Sequence, residues 1–156
     1  MKVNRFYLEI KSLKSLNEVI CPNEELILEK VSPPNIEINK FFYKNIGKKH
    51  RWVDRLIWDN LKWVSYIENK NVYTYILKLK DDLVGYFEII NDENSKSTEI
   101  AYFGILENFI GKKTNTKLTD VNFNQGLTDQ SNKGLDRRLN IHVNLDNPEE
   151  RDLIGM

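Results

Sequence analysis

The sequence predicts an α+β domain in which a mixed, mostly antiparallel sheet is flanked by helices, and three observations predict it. Residues 72–106 carry three consecutive strand patterns, VYTYILKLK, LVGYFEII and STEIAYFGIL, rich in β-branched and aromatic residues and separated by short polar stretches. Residues 35–69, just before them, space their apolar side chains at near-helical intervals. Two further alternating runs, at residues 3–11 and 139–145, bracket this region. The chain has 156 residues, 40% hydrophobic and 29% charged, enough for one core. With no repeat and no linker composition, residues 1–156 are expected to form a single domain.

At residues 3–11, Phe6, Leu8 and Ile10 alternate with Arg5, Tyr7 and Glu9, as in a half-buried strand. Cys21-Pro22-Asn23 is a turn, and residues 26–31 are a second strand stopped by Pro33-Pro34. Asn35 caps a helix that runs to about Ile46, with Gly47 as its C-terminal stop. A second helical region spans residues 52–69, with a break at Asp59-Asn60. In the meander, Asp81-Asp82 makes the first turn and residues 91–96 the second. Gly85, inside its strand, marks a bulge or a close backbone approach. Residues 113–134 are rich in Thr, Asn and Gln and encode a helix poorly. Residues 139–145 restore the alternation of a strand, and Asn147-Pro148-Glu149-Glu150 suits the first turn of a helix.

Charge and composition narrow the function. Lys+Arg and Asp+Glu both number 23, so a nucleic-acid binder working by bulk positive charge is excluded. Cys21 is the only cysteine, and His50 and His142 are the only histidines, so no metal-ligand spacing is present and no metal is expected. No apolar run approaches the length needed to span a membrane, and no signal-peptide core opens the chain; a cytoplasmic protein without a membrane partner is expected.

The stretch STEIAYFGILENFIGKKTN, residues 97–115, concentrates the chemistry. A strand carrying one acid, Glu99, leads into a turn with a glycine and two lysines. Such a turn offers unpaired backbone N–H groups and positive charge to a phosphate. Three tryptophans within twelve residues, Trp52, Trp58 and Trp63, are compatible with core packing or with a cleft. Together with Tyr66 they are candidates to line an acceptor site.

On the hairpin Gly85-Tyr86-Phe87-Glu88, the strand from Glu99 to Ile105 and the turn Phe109-Ile110-Gly111-Lys112, the chain resembles the GCN5-related N-acetyltransferases, the GNAT superfamily. The order of elements fits the same family, although the final strand of that family is expected to be absent. The resemblance implies acetyl-CoA as co-substrate and transfer of its acetyl group, without an acyl-enzyme, to a primary amine of a small molecule or peptide. It implies that the main chain of Phe103, Gly104 and Ile105 pairs with the pantetheine arm. The cofactor motif, within residues 98–118, has its pyrophosphate turn at Ile110, Gly111, Lys112, Lys113, Thr114 and Asn115. Lys113 and Asn115 fall where the family has its signature glycines, and Ile110 where it has Arg or Gln. Asn147 matches a cofactor-side asparagine. By the same resemblance Glu99 is the general base, with Glu88 on the neighbouring strand as the alternative. The family's usual tyrosine acid has no counterpart after Tyr102. The other outcome compatible with these departures is a degenerate, non-catalytic GNAT-fold module that binds acyl-CoA or another partner. A homodimer in which a partner supplies the missing strand is compatible with the pattern.

Overall fold

The structure, a computed structural model, describes residues 6–10, 25–110 and 138–143, with side chains for residues 25–110. These residues form a six-stranded sheet and two helices. In spatial order the strands are β1 (Phe6–Ile10), β6 (Arg138–Val143), β5 (Ser97–Ile105), β4 (Asp82–Asp92), β3 (Val72–Leu79) and β2 (Leu26–Lys30). Neighbours from β2 to β5 are antiparallel, β5 and β6 are parallel, and β1 closes the far edge antiparallel to β6. The predicted α+β architecture and its central meander are both present. The expected helix within residues 113–134, the helix beginning near Asn147 and the turn at Cys21 lie outside the described residues.

Helix α1 (Ile36–His50) starts where the sequence places it. The Asn35 side chain accepts hydrogen bonds from the backbone N–H groups of Glu37 and Ile38, meeting two of the first-turn donors. Its end differs from expectation. The helix passes through Gly47 and closes at Arg51, which takes a left-handed conformation with φ 56°. Gly47 serves contact instead of termination, because a Cβ there would lie 2.6 Å from the Cβ of Trp52. Helix α2 (Asn60–Ile67) is shorter than the predicted region: residues 52–59 form turns, and the Asp59 carboxylate caps the helix through the Lys62 N–H at 2.8 Å.

Both helices pack on one face of the sheet. Phe42 and Ile46 of α1 meet Ile76 and Tyr86, and Tyr43 meets Trp63 and Ile67 of α2. The opposite face carries Tyr75, Leu77, Val84, Phe87 and Ile89.

Two bulges shape the meander. Between β3 and β4, Leu77 pairs with Gly85 but Lys78 with Leu83, so Val84 is extra. The adjacent Gly85 also permits close approach, since a Cβ there would sit 2.7 Å from the carbonyl oxygen of Gly104. Between β4 and β5, Glu88 pairs with Tyr102 but Ile89 with Ile100, leaving Ala101 extra. A bulged strand bends away from its former line. Accordingly, the register of β5 with β6 runs from Ser97 to Ile100, while residues 102–105 stay in register with β4.

Candidate functional site

The Ala101 bulge decides which side chains meet. Glu88 and Ile90 of β4 point to the helix-bearing face, and their register partners on β5 are Tyr102 and Glu99. Without the extra residue, positions 99 and 102 would face opposite sides. With it, Glu99 and Tyr102 share the face covered by α1 and α2. Glu99 is half-buried there, opposite Asn140 of β6.

At the centre of this face Glu88 is fully buried. One oxygen, Oε2, accepts from Arg55 Nη1 at 2.7 Å and from the Tyr66 hydroxyl at 2.9 Å. The other accepts from Asn39 Nδ2 at 2.8 Å, and the same amide nitrogen donates to Thr74 Oγ1. Arg55, 4% exposed, rests its guanidinium 4.0 Å from the Tyr66 ring centre, 4.2 Å from Tyr102 and 4.9 Å from Trp58. Burial works against its charge, but the Glu88 carboxylate outweighs it and holds the guanidinium protonated. Burial and the same carboxylate push the Tyr66 hydroxyl up. Two charges survive here because each has an opposite partner and hydrogen bonds. The sequence reading made Glu88 the alternative base; here both its oxygens accept hydrogen bonds and its side chain is fully buried.

Asp54, one residue earlier in the chain, is exposed instead. Its Oδ1 accepts from the Tyr43 hydroxyl and its Oδ2 from the Tyr102 hydroxyl, both at 2.7 Å. The Tyr43 oxygen in turn accepts the Arg55 backbone N–H at 3.0 Å, which fixes the turn. Partial burial pushes the Asp54 carboxyl up, but the Tyr102 and Tyr43 hydroxyls overcome this and hold it below the usual value. Burial and the bond to Asp54 push Tyr43 up to about 12 and raise Tyr102 further. Trp52 packs edge-on against Tyr102 at 4.8 Å, and Trp58 stands 5.3 Å from Trp63 and 5.4 Å from Tyr66. Thus Trp58, Trp63 and Tyr66 of the four aromatic residues singled out in the sequence converge on Arg55, and Trp52 reaches the cluster through Tyr43 and Tyr102. Only Trp63 among the tryptophans is core in the strict sense, at 3% exposure.

Tyr43, Asp54 and Arg55 escaped the sequence reading. The available signal was the pair Asp54-Arg55 set between Trp52 and Trp58, charge embedded in an aromatic run. On β4, the Tyr86 ring stacks on Phe42 at 4.8 Å, and its buried hydroxyl has no hydrogen-bond partner among the described residues.

Of the expected cofactor residues, Phe103, Gly104 and Ile105 lie on the part of β5 that has left β6. Phe103 and Ile105 pack on the face opposite the helices, while a Cβ on Gly104 would come within 2.5 Å of Ile46 Cγ2 of α1. Ile110 follows a short 3-10 turn (Glu107–Phe109) and donates its N–H to Glu107. Gly111, Lys112, Lys113, Thr114, Asn115 and Asn147 lie outside the described residues.

No family model and no curated protein matches this chain. Solved structures do match. An aminoglycoside acetyltransferase from an uncultured soil metagenomic sample, in complex with trehalose, aligns over 85% of this chain and 87% of its own, with a TM-score of 0.65 at 12% identity. In complex with sisomicin, it aligns with a TM-score of 0.64 at 13% identity over 83% and 85% of the two chains. A GCN5-related N-acetyltransferase from Sphaerobacter thermophilus covers 97% of this chain with 47% of its own, with a TM-score of 0.63 at 14% identity. The chain has the GNAT fold.

Proposed function

We propose that this chain is an acetyl-CoA-dependent N-acetyltransferase acting on a primary amine of a small molecule or peptide by direct transfer. The observation that carries the reading is the departure of β5 from β6 at the Ala101 bulge. It ends the register of β5 with β6 at Ile100, so an extended pantetheine arm can run beside Phe103, Gly104 and Ile105 as a strand would. Residues 110–115 then supply amides and lysine charge to the pyrophosphate, with Asn147 on the cofactor side.

In the reaction, the amine nitrogen forms a bond to the thioester carbonyl carbon and the carbon–sulfur bond breaks. The thiolate leaves and is protonated from solvent. Glu99 takes the proton lost by the amine, directly or through one water, from the same face as Tyr102 and Asp54. Holding the two reactants in register supplies part of such a rate enhancement. Among the described residues no helix is long and apolar enough to cross a membrane. We place the reaction in the cytoplasm.

The departures at Lys113 and Asn115 favour one other reading, a GNAT-fold module that does not catalyse. Thermal denaturation with millimolar acetyl-CoA separates the two, because a ligand that binds only the folded chain raises its melting temperature. A rise in melting temperature, with turnover on an amine that falls in Glu99→Gln while the acetyl-CoA shift persists, is the expected result. An unshifted transition removes the acetyltransferase reading. A shift with no turnover on any amine leaves the non-catalytic module.

A further inference from the structure

We infer that the acceptor is a monoamine with an apolar body, its ammonium held by Asp54 and its body laid on the exposed apolar side chains of the turn that carries Asp54. The inference rests on the acetyltransferase reading above and names the substrate class of that site.

The charge inventory of the site leaves one carboxylate for a ligand. Glu88 is neutralised by Arg55 at 2.7 Å and is buried. Asp59 is engaged in capping α2, and Glu99 is the proton acceptor of the reaction. Asp54 is exposed and forms no ion pair among the described residues; both its hydrogen bonds come from neutral tyrosine hydroxyls. Each of its oxygens therefore keeps acceptor capacity, and the two tyrosines hold the group in one orientation before a ligand arrives. Because Tyr102 immediately follows the Ala101 bulge, the anchor stands beside the place where β5 opens to the thioester.

The Lys62 ammonium lies 4.8 Å from the Trp58 ring centre, and Lys40 bonds the Asn60 side chain at the start of α2. One available acid on the turn fits one ammonium.

The turn itself supplies the apolar side. Val53 is 63% exposed, Leu56 60%, Ile57 87% and Leu61 80%, four large apolar groups within nine residues flanking Asp54. A hydrogen bond from the Leu56 N–H to the Val53 carbonyl oxygen closes this turn, so the side chains are presented by a defined backbone. Such a concentration on a small protein marks a contact surface. Its immediate continuity with an exposed carboxylate held in place by two tyrosine hydroxyls commits the occupant to an amphipathic cation.

The test follows release of free CoA thiol from acetyl-CoA with four acceptors: phenethylamine as the apolar monoamine, ethanolamine as a polar one, and spermidine and sisomicin as polycations. Phenethylamine is expected to exceed the others in kcat/KM by about tenfold or more, the range that apolar pocket contacts provide. Asp54→Asn should raise its KM by roughly tenfold with a smaller change in kcat, and leave stabilisation by acetyl-CoA intact. Ile57→Ser, on the most exposed side chain of the turn, should narrow the gap between phenethylamine and ethanolamine without touching the anchor. Preference for spermidine or sisomicin, or an unchanged KM in Asp54→Asn, overturns the inference while the acetyltransferase reading stands. Burial of Ile57 in a self-associated species, detected as a concentration-dependent mass that Ile57→Ser abolishes, also overturns it. Absence of stabilisation by acetyl-CoA removes the acetyltransferase reading itself and is distinguished by that readout.

Discussion

Glu88 and Arg55 are withdrawn from water together, and their joint burial is tolerable only while both are present. Replacing one leaves a charge without a counter-ion in a place of low dielectric, which costs about 3–5 kcal/mol in comparable pairs. Glu88→Gln and Arg55→Met are each expected to lose stability of about that size in chemical denaturation. The combination Arg55→Met with Glu88→Leu should recover much of it, because similar apolar volume replaces the pair. Single losses below about 1 kcal/mol would show that water reaches the pair. Asp54 gives a pH signature of opposite exposure. Its carboxyl is held below the ordinary value of 3.8, so the unfolded chain binds that proton more readily than the folded one. Its contribution is complete above that value and is lost as pH falls through the lower folded value. Asp54→Asn should be less stable than the parent at neutral pH, with the difference closing below about pH 4. Neither role was legible in the sequence, because Asp54 and Arg55 are adjacent and only folding sends one to the core and the other to the surface. Asn35 was legible, since a cap is satisfied by N–H groups two and three residues away.

Among the elements, β5 depends on contacts that glycine alone allows. A methyl group on Gly85 would meet the Gly104 carbonyl oxygen at 2.7 Å, an atom fixed by the ladder between β4 and β5. Gly85→Ala is expected to cost about 1–3 kcal/mol, and the loss should appear as a lower melting temperature with the acetyl-CoA shift reduced as well. Gly104→Ala meets Ile46 Cγ2 instead, a side-chain atom that a small movement of α1 can relieve, so its loss should be the smaller. The reverse order of melting temperatures would show that α1 is the more rigid neighbour. The strands of the meander were readable because their periodicity and turn residues are local. The bulge at Ala101 was not, because nothing in AYF distinguishes an extra residue from a paired one; the partner strand decides it. The end of α1 was misplaced for a related reason. Gly47 has the composition of a stop, yet its missing side chain makes room for Trp52 five residues on.

Across the whole molecule, one face of the sheet gathers four tyrosines, Tyr43, Tyr66, Tyr86 and Tyr102, whose hydroxyls all ionise with more difficulty than usual. Burial is the leading cause in each case, and Tyr43 is pushed up to about 12. A tyrosine raised in the folded state stabilises it fully below its ordinary value of 10.0, and that contribution disappears as pH rises through the folded value. Alkaline unfolding is therefore expected to be steep between about pH 10 and 12. Absorbance from these four tyrosinates should appear together with the loss of far-UV circular dichroism. Absorbance from all four that precedes unfolding would show that the face is open to hydroxide. By itself the sequence determined the α+β class, the meander, the cap of α1, the resemblance to the acetyltransferases and the strand expected to pair with pantetheine. All of these are written in local periodicity or in contiguous motifs. Only the tertiary structure decided that β5 leaves β6 at Ala101, that Glu88 is locked to Arg55, and that Asp54 is the exposed acid. Those outcomes depend on which residues meet across a register and between helix and sheet, and such contacts join positions ten to fifty residues apart that no local pattern relates.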